Sequence, residues 1–187
     1  MPAVQHHHRP WRQPRPATAR PGRGFTLIEL MTTVSVLAVS LALAAPALGG
    51  LIRGNRVRAA QGELVSSLML ARSEAARRGM PARVEAKADA AGGGFARGWT
   101  VWIDANANGT LDIGETLRSV PDFGTGITLT AAGDVRNIVY SPRGFLAGGT
   151  AVTIKVCGVP ASASGNGYQV LIEPIGLADT SEISTCV

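Results

Sequence analysis

From Phe25 to Ile52 the chain is almost wholly apolar, and Glu29 is the one charged side chain in that run of 28 residues. A carboxylate in a membrane helix costs about 2.5–3.5 kcal/mol at the bilayer centre and less toward an edge. Such a group normally has a cationic partner. Cutting the chain between Gly24 and Phe25 would create one, a positively charged amine at the new N-terminus. Helix geometry places that amine awkwardly for Glu29 of the same chain. In a bundle, the amine of one chain can meet the carboxylate of the next. A pair buried in lipid would also set the axial register of the assembly. The chemistry on offer is electrostatic pairing between subunits.

A second set of oxygen-bearing residues follows in the body. Asp104, Asn106, Asn108, Asp112 and Glu115 occupy ligand positions 1, 3, 5, 9 and 12 of the calcium-loop pattern D-x-[DN]-x-[DN]-G-x5-E, with Gly109 at its sharp turn. The flanks read as strands, not helices, so the stronger reading is a β-hairpin whose Asn, Asp and Gly residues serve turn geometry. Two asparagines in place of acids would also weaken the affinity for calcium, the one cofactor the pattern suggests. Cys157 and Cys186 are the two cysteines of the chain. In an exported protein such a pair reads as a disulfide, in a reducing compartment as two free thiols. The three histidines, His6, His7 and His8, all precede Gly24. After it no Ser-His-Asp, Cys-His or mixed Cys/His zinc site can be assembled, so no catalytic residue is assigned and no enzyme is expected.

The elements that must position these residues follow from charge and periodicity. Residues 1–24 hold five arginines and no acid, and the remaining residues carry 13 basic and 13 acidic side chains. The net charge of +5 therefore belongs to a Pro- and Arg-rich leader, and the body lacks the excess that nucleic-acid binding needs. As a helix, residues 25–52 would span roughly 42 Å, enough to cross a bilayer. The leader arginines outnumber Arg53, Arg56 and Arg58 beyond it, which predicts a cytoplasmic N-terminus and an external body. Val57, Ala60, Leu64, Leu68, Ala71 and Ala75 then recur at spacings of three and four, with Arg58, Glu63, Arg72 and Arg77 free to face away. Gly79 and Pro81 stop the pattern. One helix from Phe25 to about Arg78 is expected, transmembrane over 25–52 and amphipathic over 53–79, kinked at Pro46 because proline has no amide hydrogen to donate.

Residues 80–187 change character. Strands are expected at Ala82–Ala86, Trp99–Ile103, Thr116–Val120, Ile127–Ala131, Asn137–Ser141, Ala151–Cys157 and Tyr168–Glu173, with a polar loop at 158–167. Trp99 and Trp102 point to opposite faces of one strand, so one is expected in the core and the other partly exposed. Helix first and short strands afterwards predicts an α+β fold, a long N-terminal helix packed on an antiparallel sheet or small sandwich.

The segment Gly24-Phe25-Thr26-Leu27-Ile28-Glu29-Leu30 resembles the processing motif of type IV pilins and type II secretion pseudopilins. The resemblance implies cleavage of the 1–24 leader after Gly24 by a prepilin peptidase, N-methylation of Phe25, and assembly through Glu29, the fifth mature residue. Pro46 falls at mature position 22, where many pilins carry a kinking proline. The stretch from Trp99 through Asp104, Asn106, Asn108, Gly109 and Asp112 to Glu115 is similar to the domain shared by GspH and FimT pseudopilins. So are the Ser141-Pro142-Arg143-Gly144 turn and the late cysteine pair. The implied protein is a minor pseudopilin, a single-pass inner-membrane subunit with a periplasmic β-rich domain. Its partners would be the peptidase and other pseudopilins or minor pilins. Retention of Glu29 argues against the tip subunit, which in this family typically lacks it. Some FimT proteins bind DNA through a basic tail. Here the matching Gly176-Leu177-Ala178-Asp179 is acidic, and no Lys or Arg follows Lys155, so nucleic acid is not expected as a partner. Two rivals remain. Cleavage at Ala42-Leu43-Ala44 or Ala45-Pro46-Ala47 by a signal peptidase would leave Glu29 unexplained. A secreted calcium-binding β-domain would follow from it.

Overall fold

The computed structural model describes residues 24–88, 94–159 and 167–186. One helix, α1, runs from Leu27 to Arg78. Two compact units divide the chain, Met1–Leu43 and Ala44–Val187. In the first, the apolar side chains of α1 are all exposed, and Leu27–Ala44 is long and apolar enough to cross a membrane. Thr32, Thr33, Ser35 and Ser40 interrupt it without cost, because each hydroxyl donates to a helix carbonyl three or four residues back, at 2.8–2.9 Å. The kink expected at Pro46 falls on residues 45–47, whose side chains lie outside the described residues.

In the second unit the stripe Val57, Ala60, Leu64, Leu68, Ala71 and Ala75 is buried along its whole length. The helix ends where Gly79 turns left-handed (φ 66°) and its amide bonds back to Ala75. Among the described residues eight strands follow: β1 (Ala82–Ala86), β2 (Trp99–Ile103), β3 (Thr116–Val120), β4 (Ile127–Ala131), β5 (Asn137–Tyr140), β6 (Val152–Gly158), β7 (Gly167–Ile172) and β8 (Ala178–Ile183). They form two antiparallel four-stranded sheets, ordered β3-β2-β1-β5 and β4-β6-β7-β8. The helix stripe and side chains from both sheets share one hydrophobic cluster, including Leu64, Leu68, Val84, Trp99, Val101, Ile138, Ile154, Val156 and Val170. The α+β class read from the pattern is the one observed.

Three details differ from the expectations. Strand β8 was not anticipated, because Ala178-Asp-Thr-Ser-Glu-Ile183 has too few apolar residues to alternate. It exists by pairing with β7 from Ile172↔Ala178 to Gly167↔Ile183. Arg72 does not face away. Its Nε donates to the Gly144 carbonyl at 3.0 Å and its Nη2 to that of Ile175 at 3.2 Å, tying two turns to the helix. Trp102 is as fully buried as Trp99. The two do point to opposite faces, but Trp102 lies outside the core cluster. Its ring is covered by the Arg83 guanidinium, 5.2 Å from the centroid, and its Nε1 donates to Glu85 at 3.0 Å. Most of the expected 158–167 loop, residues 160–166, lies outside the described residues.

Candidate functional site

The first helical turn builds itself from Thr26. Its hydroxyl accepts the amide of Glu29 at 3.2 Å, and its carbonyl accepts that of Leu30 at 3.1 Å, the first bond of α1. Thr26 is thus the N-cap and Glu29 the third helical residue. The Thr-x-x-Glu spacing is visible in the sequence, yet the search for a charge partner passes over it. Gly24 and Phe25 lie ahead of the helix, and both are exposed. Phe25, Leu27, Ile28, Leu30 and Met31 surround Glu29 with exposed apolar surface. Among the described residues the Glu29 carboxylate has no hydrogen-bond or ion-pair partner. An acid, an exposed Gly24–Phe25 peptide and a belt of apolar side chains are therefore together at one end of the helix. The arrangement can pair with a cation supplied from outside this chain.

The loop between β2 and β3 brings Asp104, Asn106, Asn108, Asp112 and Glu115 together through internal hydrogen bonds, with Asp104 Oδ1 left buried and without a partner among the described residues. Asp104 Oδ2 accepts from Arg83 Nη2 at 2.9 Å and from the Gly109 amide at 3.0 Å. The Asn106 and Asn108 side-chain amides both donate to Asp112 Oδ2 at 2.8 Å. Glu115 accepts the amides of Ala105 and Asp112 at 2.8 and 2.9 Å. Among the described residues no three His, Cys, Asp or Glu groups are disposed to hold a metal. Asp104 Oδ2, Asp112 Oδ2 and both Glu115 oxygens already serve internal donors, and the Arg83 guanidinium beside Asp104 opposes a cation there. Arg83 itself was missed by the loop pattern, since it lies on β1, one strand away. Register explains its place, because Arg83 is the cross-strand partner of Trp102, two residues before Asp104.

Cys157 and Cys186 are joined by a disulfide that fastens the chain after β8 to the end of β6. Gly167 lies beneath it; a Cβ there would collide with Cys186 Sγ. Strand β8 carries Asp179 and Glu182, and Glu182 accepts from the Tyr168 hydroxyl at 3.2 Å. That hydroxyl accepts in turn from Arg58 Nε at 3.2 Å, which raises the Arg58 pKa above its ordinary value.

Comparison with known proteins follows the same division of the chain. The family model of type II transport protein GspH matches residues 60–176. The prokaryotic N-terminal methylation motif matches residues 20–45. No curated protein sequence matches. Among solved structures, the type IV minor pilin FimU of Pseudomonas aeruginosa matches in two crystal forms. The first has a TM-score of 0.58 at 22% identity, covering 71% of this chain and 96% of that one. The second has a TM-score of 0.55 at 22% identity, covering 70% and 99%. At that identity the likeness is one of fold.

Proposed function

The chain belongs to the type II transport protein GspH family, and from that premise we propose that it is a minor pseudopilin, a structural subunit of a type II secretion pseudopilus or a type IV pilus. The subunit resides in the inner membrane through residues 25–52. A prepilin peptidase removes residues 1–24 by cutting after Gly24, and the new amine of Phe25 is methylated. The subunit then joins other pseudopilins or minor pilins, with Glu29 against the Phe25 amine of a neighbour. The arginine-rich leader stays cytoplasmic and the β-rich body is periplasmic.

The observation that carries this reading is the Glu29 carboxylate, without a partner among the described residues and amid exposed apolar side chains. A lone anion in lipid is costly, and the partner chemistry it needs appears when the adjoining Gly24–Phe25 bond is cut. Intact mass and N-terminal sequencing of protein purified from its native envelope test the proposal. The expected N-terminus is Phe25 bearing one methyl group. A chain that begins upstream of Gly24, or near Ala45, overturns it. Co-purified subunits then tell a secretion system from a pilus.

A further inference from the structure

Three arginines, Arg53, Arg56 and Arg58, follow the apolar run directly, and no acid lies between Glu29 and Glu63. This cluster runs against the charge bias that orients the helix, and the reading above gives it no role. The structure separates its members. Arg58 is engaged by Tyr168 and, through it, Glu182. Arg53 and Arg56 are exposed, and among the described residues neither has a hydrogen-bond or ion-pair partner. Yet neither hangs free of the body. The methylenes of Arg53 lie against Gly158, where a Cβ would be 3.1 Å from Arg53 Cγ. Arg56 Nη1 is 3.8 Å from the position a Cβ would take on Gly126. Gly158, the last residue of β6, and Gly126, in the turn before β4, are held together by the Val159 amide, which donates to the Gly126 carbonyl at 2.9 Å. Two guanidiniums without a partner among the described residues are thus held against the body, directly after the apolar run that ends at Ile52.

Resting on the membrane-anchored reading, we propose that Arg53 and Arg56 form a docking surface for the phosphates of anionic phospholipids. Length places them there. From the start of α1 at Leu27 to Ile52 the helix extends roughly 39 Å, with Phe25 and Thr26 ahead of it, and a bilayer with both headgroup layers is about 40–45 Å thick. Arg53 therefore emerges at the phosphate level. Arg56 lies about 4.5 Å farther along the axis, within reach of a flexible arginine stem that can turn back toward the headgroups. Charge selects the occupant: a bidentate guanidinium suits a phosphate, and among the described residues no acid is ion-paired with either arginine. Each arginine near an anionic membrane surface contributes about a fivefold preference, so the pair gives on the order of thirtyfold.

Native mass spectrometry of the detergent-solubilised full chain, offered equal phosphatidylglycerol and phosphatidylcholine, tests this. The wild type is expected to retain phosphatidylglycerol preferentially, and less so as ionic strength rises. Arg53→Gln and Arg56→Gln each lose about fivefold of that preference, and the double variant approaches parity. Arg58→Gln, whose side chain is already engaged, keeps it. The salt dependence of the wild type stands as a test even if a variant folds poorly. Equal retention of both lipids by the wild type overturns the proposal. So does a double variant that keeps the preference, including one that instead loses cross-links to neighbouring subunits, which would assign the arginines to a protein partner. Release of the chain from membranes by alkaline carbonate is a separate result, and it sinks the membrane-anchored reading itself.

Discussion

Glu29 and Tyr140 show how differently two polar groups are handled in one chain. Glu29 is exposed and lacks any partner among the described residues. Replacing it with alanine removes the pairing charge without disturbing the cap, which uses its backbone amide. Glu29→Ala is expected to leave membrane insertion intact and to lower the cross-linked assembled fraction by about tenfold or more. Undiminished cross-linking in native membranes would contradict the assembly role. Tyr140 is buried, and its hydroxyl has no hydrogen-bond partner. Burial pushes its pKa up from 10.0 to about 12, with the nearby Arg72 opposing weakly. Between those values the unfolded chain releases a proton that the folded chain retains. The contribution is complete below the lower value and is lost as pH rises through the upper one, on the order of 2–3 kcal/mol. Tyr140→Phe removes a group with nothing to satisfy it. Urea unfolding should show little change at neutral pH and a smaller loss of stability at about pH 11.

At the scale of elements, the stripe on α1 is the main contribution of the helix to the core. Leu64 is fully buried in it. Leu64→Ala should cost about 2–5 kcal/mol in denaturant unfolding, through lost burial and the cavity left behind. The β2–β3 loop depends on a residue outside itself. Asp104 is buried and ion-paired with Arg83. Arg83→Met leaves that carboxylate uncompensated and is expected to cost about 3–5 kcal/mol. The same change uncovers Trp102, so its fluorescence should shift to the red. Excess calcium should not restore either property, because the loop carboxylates face internal donors; recovery on adding calcium would contradict that reading of the loop. The strand pattern was legible wherever apolar residues alternate, as in Trp99–Ile103 and Ile127–Ala131. It was not legible at β8, whose outward-facing polar residues resemble a loop until β7 supplies a pairing edge. Gln61 adds to that edge, donating to Thr180 at 3.3 Å from the helix.

At the scale of the molecule, the disulfide joins cysteines 29 positions apart and closes a loop that includes β7 and β8. On chain-entropy grounds its removal should cost roughly 3–4 kcal/mol. Cys157→Ser with Cys186→Ser is expected to lower the unfolding midpoint and to raise hydrogen exchange first in β8, the edge strand. Uniform exchange across both sheets would argue against a local fastening role.

The sequence by itself determined the long helix, its apolar length, the buried face beyond it, the helix stop and the α+β class. These rest on periodicity and on local backbone chemistry, which neighbouring residues specify. It also marked Glu29, because a charge within an apolar run is conspicuous without any coordinates, and the resemblance to the pilin processing motif marked Gly24 and Phe25. Only the tertiary structure decided what long-range pairing brings together: Arg83 over Trp102 and against Asp104, Arg72 across two turns, and β8 at the edge of its sheet. Those contacts join residues far apart in the chain, and spacing along a sequence carries no information about which distant partner will satisfy a buried charge.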